Sequence, residues 1–281
     1  MSTYAVTGGG ATATVDPVRG GKIVSLRGPD GREWLAQPAD PSHPPDRGDA
    51  VFTASDLAGW DECAPSIDAC EVAGHSVPDH GDLWTTEWTT VSATPESLEL
   101  SVLGRSLDYR LVRRIAATEH GLRLDYVASA IGAATPFLWA AHPQFVSRPG
   151  SVLELPASVT RVVDVIDPSG PLVAWSAELA TLDSLPDRGC RKVYVDPLNR
   201  ADTATLRHPD GATLTLSWQN CPYLGLWFDN RAYSREPVVA IEPSLGFRDS
   251  LSWAVEHGHA PMLSPGRDLH WSLELALGSA T

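Results

Sequence analysis

The sequence predicts an all-β protein, a large antiparallel β-sandwich with few short helices. Short apolar runs rich in β-branched and aromatic residues alternate with Gly, Pro, Asn and Asp. Amphipathic helical stretches are scarce, and no period of 20–50 residues repeats, which argues against a solenoid or propeller. With 281 residues, 43% of them hydrophobic, the chain can bury a large core. Because no composition shift marks a boundary, we expect one domain over residues 1–281.

The predicted strands are separated by turn residues. They cover residues 97–103, 107–116, 122–130, 212–218, 223–228 and 237–242. A hairpin turn is expected at Glu119-His120-Gly121. The C-terminal strand alternates apolar Trp271 and Leu273 with polar His270 and Ser272, as in a half-buried antiparallel sheet. Residues 249–256 are typical of one short helix, with Asp249 or Ser250 as its N-cap.

Residues 36–50 differ from the rest of the chain. They carry four prolines and four charged residues and show no periodicity. Long structureless stretches inside compact domains are often lids or binding loops. We predict a loop or lid here, and a disordered insertion without a role is the alternative.

Composition and charge exclude several classes of function. The net charge of −14 and a pI near 4.9 argue against nucleic-acid or anionic-membrane partners, which need basic surfaces. The four cysteines have no zinc-ligand spacing. The N-terminus lacks the basic and apolar regions of a signal peptide, and no long apolar run occurs, so we expect a soluble cytoplasmic protein. Only two lysines, Lys22 and Lys192, occur, which indicates a biased genome rather than a function.

Glu242 is the first candidate for chemistry. It follows the apolar run Pro237-Val238-Val239-Ala240-Ile241 and precedes Pro243. Proline cannot continue the ladder of a central strand, so we expect the strand to stop there with Glu242 at its rim. A carboxylate beside a buried run has a raised pKa unless it is solvated or paired, and a general base needs such a pKa. A strand-end glutamate facing water is the alternative.

Two further clusters could carry chemistry. One combines Asp61 and Trp60 with His80 and Trp84 in Gly- and Pro-rich loops. Tryptophans beside carboxylates suit a sugar, whose C–H faces stack on indole while its hydroxyls bind carboxylate and imidazole. The alternative is that the tryptophans are core residues.

The second cluster is Phe137-Leu138-Trp139-Ala140-Ala141-His142-Pro143. In it, His142 ends an apolar run ahead of a proline, like Glu242, although a satisfied core histidine has the same pattern. We interpret a third run, residues 223–230, as structural. Neither of the histidine pairs His75/His80 and His257/His259 has a metal partner at a recognised spacing, so we expect no metal and no cofactor.

In chain order, these stretches resemble the aldose 1-epimerase (galactose mutarotase-like) family. The resemblance rests on Gly21-Lys22-Ile23-Val24-Ser25-Leu26 with Gly31-Arg32-Glu33, Pro78-Asp79-His80-Gly81 with Trp84, Ala141-His142-Pro143 with Phe145, and Ile241-Glu242-Pro243. Ser264-Pro265-Gly266 before Trp271-Ser272-Leu273 resembles the family's last loop and strand. The resemblance spans nearly the whole chain and implies a β-supersandwich with a sugar in an open cleft.

The resemblance also implies roles for individual residues. Glu242 would be the general base for the anomeric hydroxyl, and His142 the general acid for the ring oxygen. His80 would bind substrate hydroxyls or share charge with the ring-opening step. Side-chain chemistry, more than the motifs, makes Trp84 and Trp139 candidates for stacking on the sugar and Asp61 a candidate for binding it.

Two departures from the family pattern leave the substrate open. The Asn-Arg segment that many galactose-type members carry before the HG motif is absent, and Asp183, Asp187 and Asp196 are equivalent candidates for the family's additional aspartate. Arg148 and Arg248 could meet an anionic substituent or simply face solvent.

The expected function is anomer interconversion of a free or modified sugar. The alternative is a carbohydrate-binding protein that keeps the cleft without the chemistry. We expect a small-molecule sugar as partner, no nucleic acid and no membrane, and either a monomer or a homodimer.

Overall fold

The computed structural model describes residues 3–167 and 169–279 of the chain. Strands far outnumber helices, as the sequence predicts. The strands, in chain order, are β1 Tyr4–Gly8, β2 Ala11–Asp16, β3 Lys22–Arg27, β4 Trp60–Cys63, β5 Cys70–Val72, β6 His75–Val77, β7 Thr89–Thr94, β8 Ser97–Leu103, β9 Tyr109–Ala117, β10 Leu122–Ala130, β11 Thr135–Pro136, β12 Ala140–Pro143, β13 Phe145–Val146, β14 Val152–Glu154, β15 Arg161–Asp164, β16 Leu172–Ala174, β17 Cys190–Val195, β18 Thr203–Arg207, β19 Thr213–Gln219, β20 Tyr223–Asp229, β21 Val238–Ser244, β22 Met262–Leu263 and β23 Leu269–Gly278.

The helices are short. They are the 3-10 helices Pro17–Arg19 and Phe52–Ala54 and the α-helix α1 Leu251–Glu256. The Ser250 side chain caps α1 by accepting from Trp253 N, one of the two caps expected. No helix in the described part of the chain is long and apolar enough to cross a membrane.

Two large antiparallel sheets contain most of the described strands, while β5 with β6 and β11 with β22 form two small two-stranded sheets. The first, which carries the candidate site, has the strand order β1-β2-β3-β4-β12-β21-β20-β17-β15-β16, and β13 also pairs with β21. The second has the order β14-β18-β19-β23-β10-β9-β8-β7. One hydrophobic cluster takes side chains from both sheets, for example Ile23 and Ile241 from the first and Leu124 and Leu273 from the second. The predicted antiparallel sandwich is therefore confirmed.

The site lies where β12, β21, β20 and β17 run side by side. β21 is buried at every position from Val238 to Ser244, which explains its continuous apolar run. Contrary to the expectation from the sequence, β21 does not stop before Pro243 but continues to Ser244. Pro243 pairs with Leu224 of β20, whereas β12 pairs with β21 only at Ser244, so a proline without an N–H is tolerated there.

Candidate active site

His142 and Glu242 meet at the centre of the first sheet. His142 lies on β12 and is paired with Asp61 of the neighbouring strand β4. Glu242 lies on β21. Both side chains are buried, and Glu242 is fully so. His142 Nε2 lies 3.8 Å from Glu242 Oε1. Glu242 therefore lies within β21 rather than at the expected rim of the sheet, and it is a buried carboxylate beside an imidazole rather than a side chain facing water.

The two oxygens of Glu242 have different surroundings. Oε2 accepts a hydrogen bond from the Lys192 ammonium. Oε1 has no hydrogen-bond partner among the described residues. Burial raises the pKa of Glu242, Lys192 opposes that shift, and the charge of Asp249 adds to it. Buried polar atoms usually have a hydrogen-bond partner, and Oε1 is the oxygen of Glu242 that faces His142.

Gly225 makes room for this carboxylate. It lies directly opposite Glu242 in the β20–β21 ladder. A Cβ at this position would lie 3.0 Å from Glu242 Oε2 and 3.1 Å from Tyr194 Cζ. The missing side chain lets the carboxylate lie across β20 towards Lys192 on β17.

His142 is held as a neutral imidazole. The Gln144 side-chain nitrogen lies 3.0 Å from His142 Nδ1. Because an amide NH2 group only donates, Nδ1 accepts and the neutral ring carries its proton on Nε2. Burial lowers the pKa of His142 well below its ordinary value, with the charges of His80 and Lys192 acting in the same direction. The Nε2–H group that faces Glu242 is therefore a proton donor.

His80 and Phe52 cover this pair. His80 adopts a left-handed φ of 58°, and its ring stacks on Phe52 at a centroid distance of 3.7 Å. Phe52 also packs edge-on against His142 at 5.3 Å. His80 Nδ1 lies 3.0 Å from Asp79 Oδ2. Phe52 lies two residues after the predicted lid at residues 36–50, so the end of that loop leads to an aromatic ring that packs on both histidines.

A cavity of about 330 Å³ adjoins these residues. Its lining combines imidazoles, carboxylates, one lysine and aromatic rings. The lining residues are Phe52, Thr53, Leu57, Ile67, Asp68, His80, His142, Gln144, Val165, Ile166, Lys192, Trp227, Asp229, Tyr233, Ser234 and Asp249. Glu242 is not itself a lining residue, but it contacts two that are, His142 and Lys192. The arrangement joins an acceptor, a donor and a small pocket with one apolar aromatic wall.

Several predicted site residues lie elsewhere. Trp139 is fully buried and donates its indole N–H to Glu62 Oε2 at 2.7 Å, so it belongs to the core between the sheets. Trp84 is behind the cavity, with its ring edge-on to Phe52 at 5.1 Å. Neither tryptophan is a lining residue.

Asp61 and Arg248 are also absent from the cavity lining. The Asp61 carboxylate is buried and lies 3.1 Å from Lys22 Nζ. Burial raises the pKa of Asp61 to about 6, against the opposing charge of Lys22. The Arg248 guanidinium lies over the Trp253 ring at 4.6 Å, and Arg148 pairs with Asp210 at 3.6 Å, outside the lining.

Sequence reasoning missed several lining residues. The scarcity of lysines indicates a biased genome and gives no role to Lys192. The run that holds Trp227 and Asp229 has the pattern of a structural strand. The Asp229 carboxylate does have a structural role, since it accepts from the backbone N–H groups of Ala232 and Ser234. Trp227 is two residues after Gly225 and therefore lies on the same face of β20, the face that carries the site. This period-two spacing could have identified Trp227 as a residue near the site. The contribution of Phe52 had no signal, because it depends on the path of an irregular loop.

No group of three or more His, Cys, Asp or Glu side chains that could hold a metal ion occurs among residues 3–167 and 169–279. Glu242 and His142 are side chains that can accept protons from, and donate protons to, a bound molecule with exchangeable protons.

Comparison with solved structures gives full-length matches. The Slr1438 protein from Synechocystis sp. PCC 6803 superposes with a TM-score of 0.77 at 18% identity, covering 99% of this chain and 96% of that chain. A galactose mutarotase-like protein from Lactobacillus casei ATCC 334 has a TM-score of 0.76 at 18% identity, over 99% of this chain and 100% of that chain.

A GalM/aldose epimerase homologue from C. elegans has a TM-score of 0.71 at 14% identity, with 100% of both chains covered. No protein-family model and no curated protein sequence matches the chain. The structural neighbours are galactose mutarotase-like and aldose 1-epimerase proteins, and this chain has their fold.

Proposed function

We propose that the protein is a cytoplasmic isomerase of the mutarotase type, which interconverts the α and β anomers of a sugar. The observation that carries the proposal is the pair Glu242 Oε1 and His142 Nε2, 3.8 Å apart beside a cavity. The anomeric hydroxyl and the ring oxygen of a sugar are bonded to the same carbon. A base and an acid that serve them must therefore lie close together, as these two atoms do.

In the proposed reaction, Glu242 Oε1 takes the proton of the anomeric hydroxyl. The oxygen left behind forms the aldehyde carbonyl while the bond between the anomeric carbon and the ring oxygen breaks. His142 Nε2–H gives its proton to that ring oxygen and is left as an imidazolate, which takes the proton back when the ring closes. Rotation about the C1–C2 bond and reversal of both transfers give the other anomer, and the protein ends with its protons restored.

The environments of the two groups suit these roles. A base must be ionised and an acid protonated at the same pH. Burial raises the pKa of Glu242, which makes its carboxylate a stronger base. His142, whose pKa is lowered, is neutral near pH 7 and donates through Nε2–H.

The cavity supports a small substrate. Its volume of about 330 Å³ is at the lower end of ligand pockets, which favours a single sugar ring over a polymer. Trp227 in its lining offers an aromatic face for the sugar's C–H groups. Asp68, Asp249 and His80 offer polar atoms for its hydroxyls. The names of the structural neighbours, galactose mutarotase-like and aldose epimerase homologue, agree with this class.

Anomer exchange followed by NMR tests the proposal. A panel of neutral, phosphorylated and acidic aldoses is exposed to the wild type and to Glu242→Gln. We expect one or more sugars to exchange above the blank, and the Gln variant to lower that rate by about 10²- to 10⁴-fold. Glu256→Gln, at the exposed end of α1, is the matched control and should keep the wild-type rate.

Two results would reject the enzyme. One is an absence of exchange above the blank for every sugar, and the other is a Glu242→Gln variant as fast as the wild type. Saturable sugar binding without exchange would instead support the alternative of a carbohydrate-binding protein.

A further inference from the structure

Lys192 is an unusual lysine. Lysines are seldom buried, yet only 6% of Lys192 is exposed. Its ammonium contacts Glu242 Oε2 and lies 3.5 Å from Asp249 Oδ1. The Tyr194 hydroxyl donates to the same Asp249 oxygen at 2.8 Å. The cation is thus fixed between two carboxylates, one of which belongs to the candidate base.

This contact makes the two oxygens of Glu242 unequal. Oε2 is engaged by the ammonium, whereas Oε1 is bare and faces His142. A carboxylate bound through one oxygen cannot rotate freely without breaking a charge-assisted hydrogen bond. The ammonium therefore determines which oxygen is directed at the imidazole.

The same contact supplies the charge that a buried carboxylate needs. Burying an ionised carboxylate without a partner is strongly unfavourable, and the group then takes up a proton instead. Glu242 is fully buried, so a nearby cation is needed to keep it ionised near pH 7. Lys192 keeps its own charge as well, because the carboxylates of Asp249 and Glu242 raise the pKa of its ammonium.

We propose that Lys192 is a positioning residue that holds Glu242 through Oε2, keeps it ionised, and leaves Oε1 as the oxygen that accepts the substrate proton. The inference rests on the proposed function, since it assigns Glu242 the role of base. Several titratable groups surround Glu242 in addition to Lys192. They are Tyr194, Asp249, His142, His80 and Cys63.

The charges around Glu242 act with opposite signs. Lys192 lowers the pKa of Glu242, and Asp249 raises it. Removing the lysine charge must therefore raise that pKa, and removing the aspartate charge must lower it. If Lys192 and Asp249 had a purely structural role, their removal would not change the pKa of Glu242 in opposite directions.

The pH profile of sugar exchange provides the test. In Lys192→Met, we expect the acid limb of the profile to move up by about 1–3 pH units, the range known for an opposite charge at close distance. In Asp249→Asn, the acid limb should move down. An unchanged limb in Lys192→Met, or shifts of the same sign in both variants, would overturn the inference.

Lys22 offers a matched control. It is the other lysine of the chain, and it is also buried between two carboxylates, 2.8 Å from Asp56 and 3.1 Å from Asp61. Lys22→Met should destabilise the fold in the same way as Lys192→Met, but move the acid limb much less, because Lys22 contacts Asp56 and Asp61 rather than Glu242. An equal shift in both variants would assign the effect to loss of structure.

A titration without substrate separates this inference from the proposed function. The side-chain carboxyl of Glu242 is followed by ¹³C NMR in glutamate-labelled protein and assigned with Glu242→Gln. We expect its midpoint to be higher in Lys192→Met than in the wild type. A wild type that exchanges no sugar would reject the proposed function and leave this measurement valid, whereas equal midpoints would reject the role of Lys192 alone.

Discussion

At the scale of single residues, Gly225 is the most sensitive position next to Glu242. A Cβ there would crowd both Glu242 Oε2 and Tyr194, so we expect Gly225→Ala to displace the carboxylate from Lys192 and lower sugar exchange about tenfold, roughly 1.4 kcal/mol in the barrier. Unfolding free energy should change by less than about 1 kcal/mol, because the lower entropy of the unfolded alanine chain offsets the crowding. Exchange rates and urea unfolding measure the two effects.

The control for this substitution is Gly132→Ala. Within the described part of the chain, no heavy atom beyond its two sequence neighbours lies within 4 Å of a Cβ at Gly132, and the φ of Gly132 is not left-handed. Both activity and stability should therefore stay close to those of the wild type. Wild-type exchange in Gly225→Ala would show that the room opposite Glu242 is not needed.

Asp61 gives a second prediction at this scale, one of pH-dependent stability. Burial raises the pKa of Asp61 to about 6, so the folded protein holds this proton more tightly than the unfolded chain. The resulting stabilisation is complete below the unfolded pKa of about 3.9 and is lost as the pH rises through about 6. The two-unit shift corresponds to about 3 kcal/mol.

Urea unfolding of wild type and Asp61→Asn at pH 4 and pH 7 measures this contribution. The wild type should lose more stability between these two pH values than the variant does, by up to about 3 kcal/mol. The exposed Asp108→Asn is the control and should follow the wild type. Equal losses in wild type and Asp61→Asn would contradict the raised pKa.

At the scale of elements, sequence patterns located the strands well but not the site around them. β8 and β10 have the predicted bounds, and β9, β19, β20 and β21 differ by one or two residues at their ends. The pairing of His142 and Glu242 followed from a resemblance of motifs, because local patterns do not specify which strands are neighbours. Period-two alternation already separates Trp139 from His142, since residues three apart in a strand face opposite sides, and Trp139 indeed belongs to the core.

The loop at residues 36–50, which ends just before the 3-10 helix Phe52–Ala54, remains a predicted lid. Its exposed loop leads to Phe52, which packs on His80 and His142. Phe52→Ala should expose both imidazoles and raise the pKa of His142 towards its ordinary value, because burial is the main cause of its lowering. We also expect a KM about tenfold higher if the ring closes over substrate, roughly 1.4 kcal/mol of lost binding.

Histidine NMR titration and exchange kinetics measure these two changes. Val51→Ala, one residue earlier and 60% exposed, serves as the control and should alter neither. An unchanged His142 titration in Phe52→Ala would argue against burial by this ring, and an unchanged KM would argue against a lid.

At the scale of the whole molecule, the two sheets are joined by more than apolar contacts. Arg113 of β9 and Glu62 of β4 are both fully buried, and Arg113 Nη1 lies 2.7 Å from Glu62 Oε1. Tyr126 and Trp139 donate to the same carboxylate at 2.9 and 2.7 Å. The sandwich was predictable from composition and alternation, but this polar contact was not, because it joins residues 51 positions apart in the chain.

This pair lies behind the site, since Glu62 directly follows Asp61 and pairs with Ala141, next to His142. Removing one member of a buried ion pair leaves an uncompensated charge, and such changes cost about 3–5 kcal/mol. We therefore expect Arg113→Met to lower the unfolding free energy by about that amount. Adding Glu62→Gln should restore most of the loss, since the remaining buried groups are then neutral.

Arg207→Met, which breaks the exposed pair with Glu154, should have a much smaller effect. Urea unfolding with an unchanged m-value measures all three variants, and a double variant no more stable than Arg113→Met would show that Arg113 acts through packing rather than charge.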